Sequence, residues 1–179
     1  MDKAARKGER YFREGRVLWV VKCGEKVFSK VLGTYPYYIE IDMKRGENRC
    51  TCPIGKDCKH VHATMKALEE GFYIESTDPS IELNPEMAVD RFFLENPKQG
   101  LEIIIKELEY MLDNDESGSE VARLFRKCFR LLKIYPSEEH FLKIKKDFNE
   151  FQRLFGDWAL TEYLGEEINE AEKLLSNPS

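Results

Sequence analysis

The chain has 179 residues, 42% of them hydrophobic and 34% charged, and a formal net charge of -5. This balance suits a soluble globular protein of one medium or two small domains. No apolar run approaches the roughly 18 residues of a membrane span, so no membrane partner is expected, and the acidic sum argues against a nucleic-acid binder if the chain is taken whole.

The charge is uneven, however. Residues 1–75 hold 15 Lys and Arg against 11 Asp and Glu, whereas residues 76–179 hold 13 against 22. Such asymmetry suggests two domains with different partners. No apolar signal segment opens the chain, and Asp2, Glu9 and Glu14 among the first bases argue against a transit peptide. The expected location is the cytoplasm.

Residues 3–14 read as a short helix, with Lys3, Arg6, Arg10 and Arg13 on one face, broken by Gly15. Residues 16–22 and 26–32, separated by Gly24, read as a hairpin. Over 36–43 the pattern alternates, with Tyr37, Ile39, Ile41 and Met43 on the inner side of a half-buried strand. Arg45 to Asn48 is a turn into a strand carrying Cys50 and Cys52. The window Cys50-Thr51-Cys52-Pro53-Ile54-Gly55-Lys56-Asp57-Cys58-Lys59-His60 then holds three of the five cysteines and one of the three histidines.

Three thiolates and one imidazole make a complete tetrahedral set for one zinc ion, with no position left for water, so the site reads as structural. On an extended strand Cys50 and Cys52 face the same way. Helical positions two apart diverge by about 200°. Cys58 therefore belongs in a turn and His60 in the first turn of a helix. A Cys50–Cys52 disulfide would be badly strained, and a reducing compartment disfavours it. His62 ranks second to His60, since it faces another side of the helix. That helix is expected to bury Val61, Met65 and Leu68, to end near Gly71, and to expose Lys59, His62 and Lys66.

Residues 76–84 read as a linker and 85–175 as a helical bundle. Asn84-Pro85 and Asn96-Pro97 are helix starts. One apolar stripe runs through Leu101, Ile104, Ile105, Leu108, Met111 and Leu112. A second takes Val121, Leu124, Phe125, Cys128, Leu131, Leu132 and Tyr135, after a polar loop over 113–119. A third carries Phe141, Ile144, Phe148, Phe151 and Phe155, and a fourth Leu160, Leu164, Ile168, Ala171 and Leu175. Amphipathic helices on short loops imply an antiparallel bundle. Residues 176–179 are a frayed tail. Cys23 and Cys128 read as buried small hydrophobes and His140 as a surface residue. The basic face of Arg123, Arg126, Lys127, Arg130 and Lys133 reads as solvated surface balanced by Glu162, Glu166, Glu167, Glu170 and Glu172.

Cys-x-Cys followed by Cys-x-His resembles the SWIM zinc finger. Gly8-Glu9-Arg10-Tyr11, Gly15-Arg16-Val17 and Val31 to Tyr37 resemble its lead-in, and Cys58-Lys59-His60-Val61-His62-Ala63 its ending, so the likeness spans about residues 4 to 73. The five-residue gap from Cys52 to Cys58 is slightly shorter than the family's. The resemblance implies an α+β zinc module over 1–75 (a small sheet plus a helix) that binds DNA or protein and is not itself catalytic.

The candidate nucleic-acid contacts are Arg6, Arg10, Arg13, Lys56, Lys59, His62 and Lys66, reaching phosphates with little sequence preference. Trp19, Tyr35, Tyr37 and Tyr38 are possible base-stacking rings, although in so small a module most should pack inside. The alternative role is a protein adaptor whose partner, by the resemblance, belongs to DNA repair, recombination or chromatin. No phosphate loop, nucleophile elbow or open metal site is visible, so neither an enzyme nor a small-molecule substrate is expected.

Overall fold

A computed structural model describes residues 2–114, 118–157 and 164–176. The expectations for 115–117, Leu160, Glu162 and 177–179 fall outside the described residues. The fold class is α+β, with a five-stranded sheet in the N-terminal half followed by helices. The chain divides into two compact units, Met1–Arg91 and Phe92–Ser179. No helix among the described residues is long and apolar enough to cross a membrane.

In the first unit, α1 (Lys3–Arg13) is capped by Asp2, whose carboxylate accepts the Ala5 N–H at 2.8 Å. Strands β1 (Val17–Cys23), β2 (Lys26–Leu32), β3 (Pro36–Asp42) and β4 (Glu47–Cys50) form an antiparallel meander. The period-two pattern of β3 emerges as read: Tyr37, Ile39 and Ile41 are buried. Met43 is not, because the strand stops at Asp42, whose side chain accepts the Lys44 and Arg45 N–H groups and turns the chain. Met43 is 48% exposed.

Helix α2 (Lys59–Glu69) lies on the sheet and α1 lies on α2. The buried face of α2 is rotated from the expected one. His60, Val61, Ala63, Thr64 and Ala67 face inward, while Met65 is exposed and Leu68 only partly covered. Close helix packing explains the rotation. A Cβ on Gly8 of α1 would fall 2.5 Å from the His62 Cβ and 2.8 Å from the Lys59 carbonyl oxygen. At that approach the contact face must be small, and the bulky Met65 is turned out.

Residues 76–84, read as a linker, belong to the packed structure. Strand β5 (Ile74–Ser76) adds to β1 in parallel, giving the sheet order β4-β3-β2-β1-β5. A single 3-10 turn over Pro79–Glu82 then buries Ile81 completely. Burial of Ile81 and the ladder to β1 fix a stretch whose Pro, Asp and Ser content reads as loop.

Helix α3 (Glu86–Glu95) runs across the division between the units. In the second unit, α4 (Pro97–Asp113), α5 (Gly118–Ile134), α6 (Glu138–Phe155) and α7 (Leu164–Ser176) pack on one another. The stripes read on α4 and α5 are buried except Tyr135, and on α6 Phe141, Ile144, Phe148 and Phe151 are buried. His140 is also buried, at 3% exposure, contrary to expectation. It sits one turn into α6, where Ser137 caps the helix and its hydroxyl lies 2.6 Å from the imidazole Nδ1. The basic face of α5 meets carboxylates of α7, as in the Lys133–Glu170 pair at 3.3 Å.

Candidate metal centre

Cys50, Cys52, Cys58 and His60 are each buried, and their ligand atoms all lie within 4.8 Å of one another. This is the only such group of metal-ligating side chains among the described residues. Three structural elements bring it together. Strand β4 delivers Cys50 at its last residue. Cys52 follows in a turn rather than on the strand, and its N–H points back at the Cys50 sulfur at 3.5 Å. Cys58 is the N-cap of α2, and His60 stands in the first helical turn.

Backbone and side-chain hydrogen bonds close the loop between Cys52 and Cys58. The Cys50 N–H donates to the Gly55 carbonyl at 2.7 Å. Asn48 and Asp57 pair reciprocally: the Asn48 amide donates to the Asp57 carboxylate at 2.9 Å, and the Asp57 N–H donates to the Asn48 side-chain oxygen at 2.8 Å. That pair holds Asp57 at φ 50°, a left-handed conformation that aspartate tolerates when a local hydrogen bond supports it.

The two sulfur-to-nitrogen separations at His60 match the edges of a tetrahedral ion. With zinc–sulfur and zinc–nitrogen bonds of about 2.3 and about 2.05 Å, a tetrahedral edge from sulfur to nitrogen is about 3.6 Å. The His60 Nδ1 lies 3.5 Å from the Cys58 sulfur and 3.7 Å from the Cys50 sulfur.

The charge distribution fits too. Among the protein's own groups Cys58 is favoured as the thiolate, first because it accepts a hydrogen bond from Cys50, then through His60 and the Val61 N–H. Cys50 is pushed the other way by that same bond to Cys58 and by burial. Three thiolates in this buried volume would need a compensating cation. The set can therefore hold a metal ion, consistent with one structural zinc.

Two aromatic rings flank His60, a role that sequence reading did not assign to either. Tyr37 of β3 lies 4.7 Å from the His60 imidazole, centroid to centroid, and Tyr11 of α1 lies 5.7 Å away, edge-on. Only their places on the buried faces of two distant elements could have signalled this role.

The seven candidate nucleic-acid residues separate into two groups. Arg6, Arg10 and Arg13 are exposed along α1, and Lys56 is exposed on the metal loop. Arg10 pairs with Glu14 at 3.6 Å and Arg13 with Glu9, both at the surface. Lys59 folds over the Tyr11 ring, 5.0 Å from its centroid. Lys66 is surrounded by Glu70 at 3.2 Å, Glu69 at 3.7 Å and Glu9 at 3.8 Å. His62 is half-buried against Gly8. Of the candidate stacking rings, Trp19 and Tyr37 are buried, while Tyr35 and Tyr38 are 54% and 44% exposed.

No family model matches the chain, and no solved structure matches it. Over 171 residues it is 25% identical to the uncharacterized protein MJ1493 of Methanocaldococcus jannaschii, an alignment covering 93% of this chain and 69% of that one.

Proposed function

We propose that the first unit is a SWIM-type zinc module that binds nucleic acid through its phosphates, with little sequence preference. The observation that carries the metal half of this reading is the burial of three cysteines and one histidine with their ligand atoms all within 4.8 Å of one another. All four positions of a tetrahedral ion are then protein side chains, so the centre holds structure together and the reading assigns the chain no catalysis.

Helix α1 supports the nucleic-acid half. Residues 2–16 carry six Lys and Arg against three Asp and Glu. Arg6, Arg10 and Arg13 are exposed along it. The pairs that Arg10 and Arg13 make with glutamates are surface pairs of about 0.2–1 kcal/mol, weak enough to exchange for phosphate. Lys59 and Lys66 are engaged within the protein and contribute less.

Fluorescence anisotropy with labelled single- and double-stranded DNA and RNA, at about 50 and about 200 mM salt, tests this. Three phosphate contacts give a salt slope near -2.7, so affinity should fall roughly 40-fold over that range. Reversing Arg6, Arg10 and Arg13 to glutamate should remove the binding. Affinity indifferent to both changes would sink the reading.

A second reading is an adaptor for a protein partner of DNA-repair or recombination type. It is favoured by the carboxylates around Lys66 and by the acidic balance of residues 76–179. Absence of nucleic-acid binding at the lower salt, with capture of a basic partner by the full chain, would select it.

A further inference from the structure

A histidine offers two ring nitrogens, and what surrounds one decides which is left for a metal. His60 Nδ1 faces the sulfurs of Cys58 and Cys50 at 3.5 and 3.7 Å. Nε2 points away from them, is sealed from solvent, and has no hydrogen-bond partner among the described residues. It lies against the turn between β2 and β3. A Cβ on Gly33 would fall 2.5 Å from Nε2 and 2.7 Å from the Tyr37 ring. The turn is tied by the Gly33 N–H donating to the Tyr35 carbonyl at 3.0 Å. Tyr37 covers one face of the imidazole and Tyr11 meets it edge-on. An added methyl group at Gly33 would thus strike the histidine itself, between a tied backbone and a packed ring.

The chain geometry asks for the same nitrogen. His60 is two residues from Cys58 and in the first turn of α2, so the ligand arm must be short. Nδ1 is the nitrogen nearer the backbone.

Resting on the metal-centre reading above, we infer that His60 binds the ion through Nδ1, and that Gly33 and Tyr37 are the positioning residues that enforce this choice. They form a narrow apolar slot that receives the protonated Nε2 edge. In most metal-bound histidines an oxygen acceptor orients the second nitrogen. Here shape and ring packing do so. The glycine in the Val31 to Tyr37 stretch is thereby part of the metal site, although it is 27 residues from His60 in sequence.

The test is a long-range nitrogen–proton correlation spectrum of the full-length, zinc-loaded, nitrogen-15-labelled protein. The chain has three histidines, and the His60 pattern is the one retained in His62→Gln and in His140→Gln. The expected pattern is a metal-shifted Nδ1 without a proton and a protonated Nε2. The reverse pattern overturns the inference.

Gly33→Ala should lower zinc affinity about tenfold or more in competition with a chromophoric chelator, the scale seen when ligand-orienting residues are lost. It should also erase the His60 pattern while the cobalt-loaded protein keeps its thiolate charge-transfer band. Wild-type affinity with an unchanged His60 pattern would reject the role of Gly33. If that variant does not fold, Tyr37→Leu removes the ring wall without touching the turn and is read in the same way. A wild-type protein lacking the thiolate–cobalt band overturns the metal-centre reading itself, which separates that failure from the choice of nitrogen.

Discussion

Cys58 has two structural positions, at the N-cap of α2 and in the buried cluster that could hold a metal. Losing it should therefore affect helix and ion together. In a module this small the sheet and two helices bury limited area, and structural zinc supplies on the order of 10 kcal/mol in comparable folds. Cys58→Ala, or a strong chelator, should abolish the cooperative melt of the first unit while much of the far-ultraviolet helical signal from the second unit remains. An unchanged first-unit melt after chelation would rule this out. That Cys50, Cys52, Cys58 and His60 come together was legible from residue type and spacing alone. The conformation at Cys52 was not: alternation along a strand describes its side-chain direction, but the chain has already left β4 and turned back toward the Cys50 sulfur.

Helices α1 and α2 meet where Gly8 lies against Lys59, His62 and Ala63. Gly8→Ala inserts a methyl group into backbone atoms less than 3 Å away, which the helices can relieve only by separating. The expected loss is about 1–3 kcal/mol, the usual scale of overpacking, read as a lower midpoint in denaturant titration. A variant as stable as the parent would show that the two helices are not held at this distance. This contact explains why sequence periodicity misplaced the inner face of α2. Val61, Met65 and Leu68 are the large apolar residues at helical spacing, but a close crossing selects Ala63 and Ala67. Inside, Thr64 contributes a hydroxyl 2.6 Å from that of Ser29 on β2, a polar pair that a hydrophobicity pattern does not register. β5 was missed for a related reason. It is three residues long, and its partner β1 is some fifty residues earlier, so no local alternation announces it.

Across the molecule, the two units should respond differently to solution conditions. The first holds the cluster that could bind a metal, whereas the second carries a carboxyl group whose pKa is raised by burial. Asp147 on α6 is 7% exposed, and one carboxylate oxygen has no hydrogen-bond partner among the described residues. Burial foremost, with the carboxylates of Glu109 and Asp113 adding to it and Lys146 opposing, raises its pKa to about 7. In the unfolded chain it titrates near about 4. A carboxyl group raised in the folded state favours folding while it is protonated. Its contribution is complete below about pH 4 and is lost as pH rises toward about 7. Asp147→Asn should therefore stabilise the second unit at pH 8 by about 1–3 kcal/mol and reduce its change in melting temperature between pH 5 and pH 8. An equal pH dependence in parent and variant would exclude Asp147 as its source. The apolar stripes of this unit were readable because long helices repeat their pattern over several turns. The burial of Asp147 and His140 was not, since polar residues mark the outer face in any periodic reading.

The metal loop also determines where the sheet ends. Strand β4 is an outer strand of only four residues, and the chain leaves it at Cys50 to enter the loop. Thr51 then doubles back on Tyr38 of β3: its hydroxyl accepts the Tyr38 N–H at 3.0 Å, and its own N–H donates to the Tyr38 carbonyl at 3.1 Å. Those backbone groups would otherwise form an open ladder, the kind of border on which a strand from another chain can template. The ligand loop thus covers the stretch of β3 that the short β4 leaves unpaired, where a strand from another chain could otherwise add.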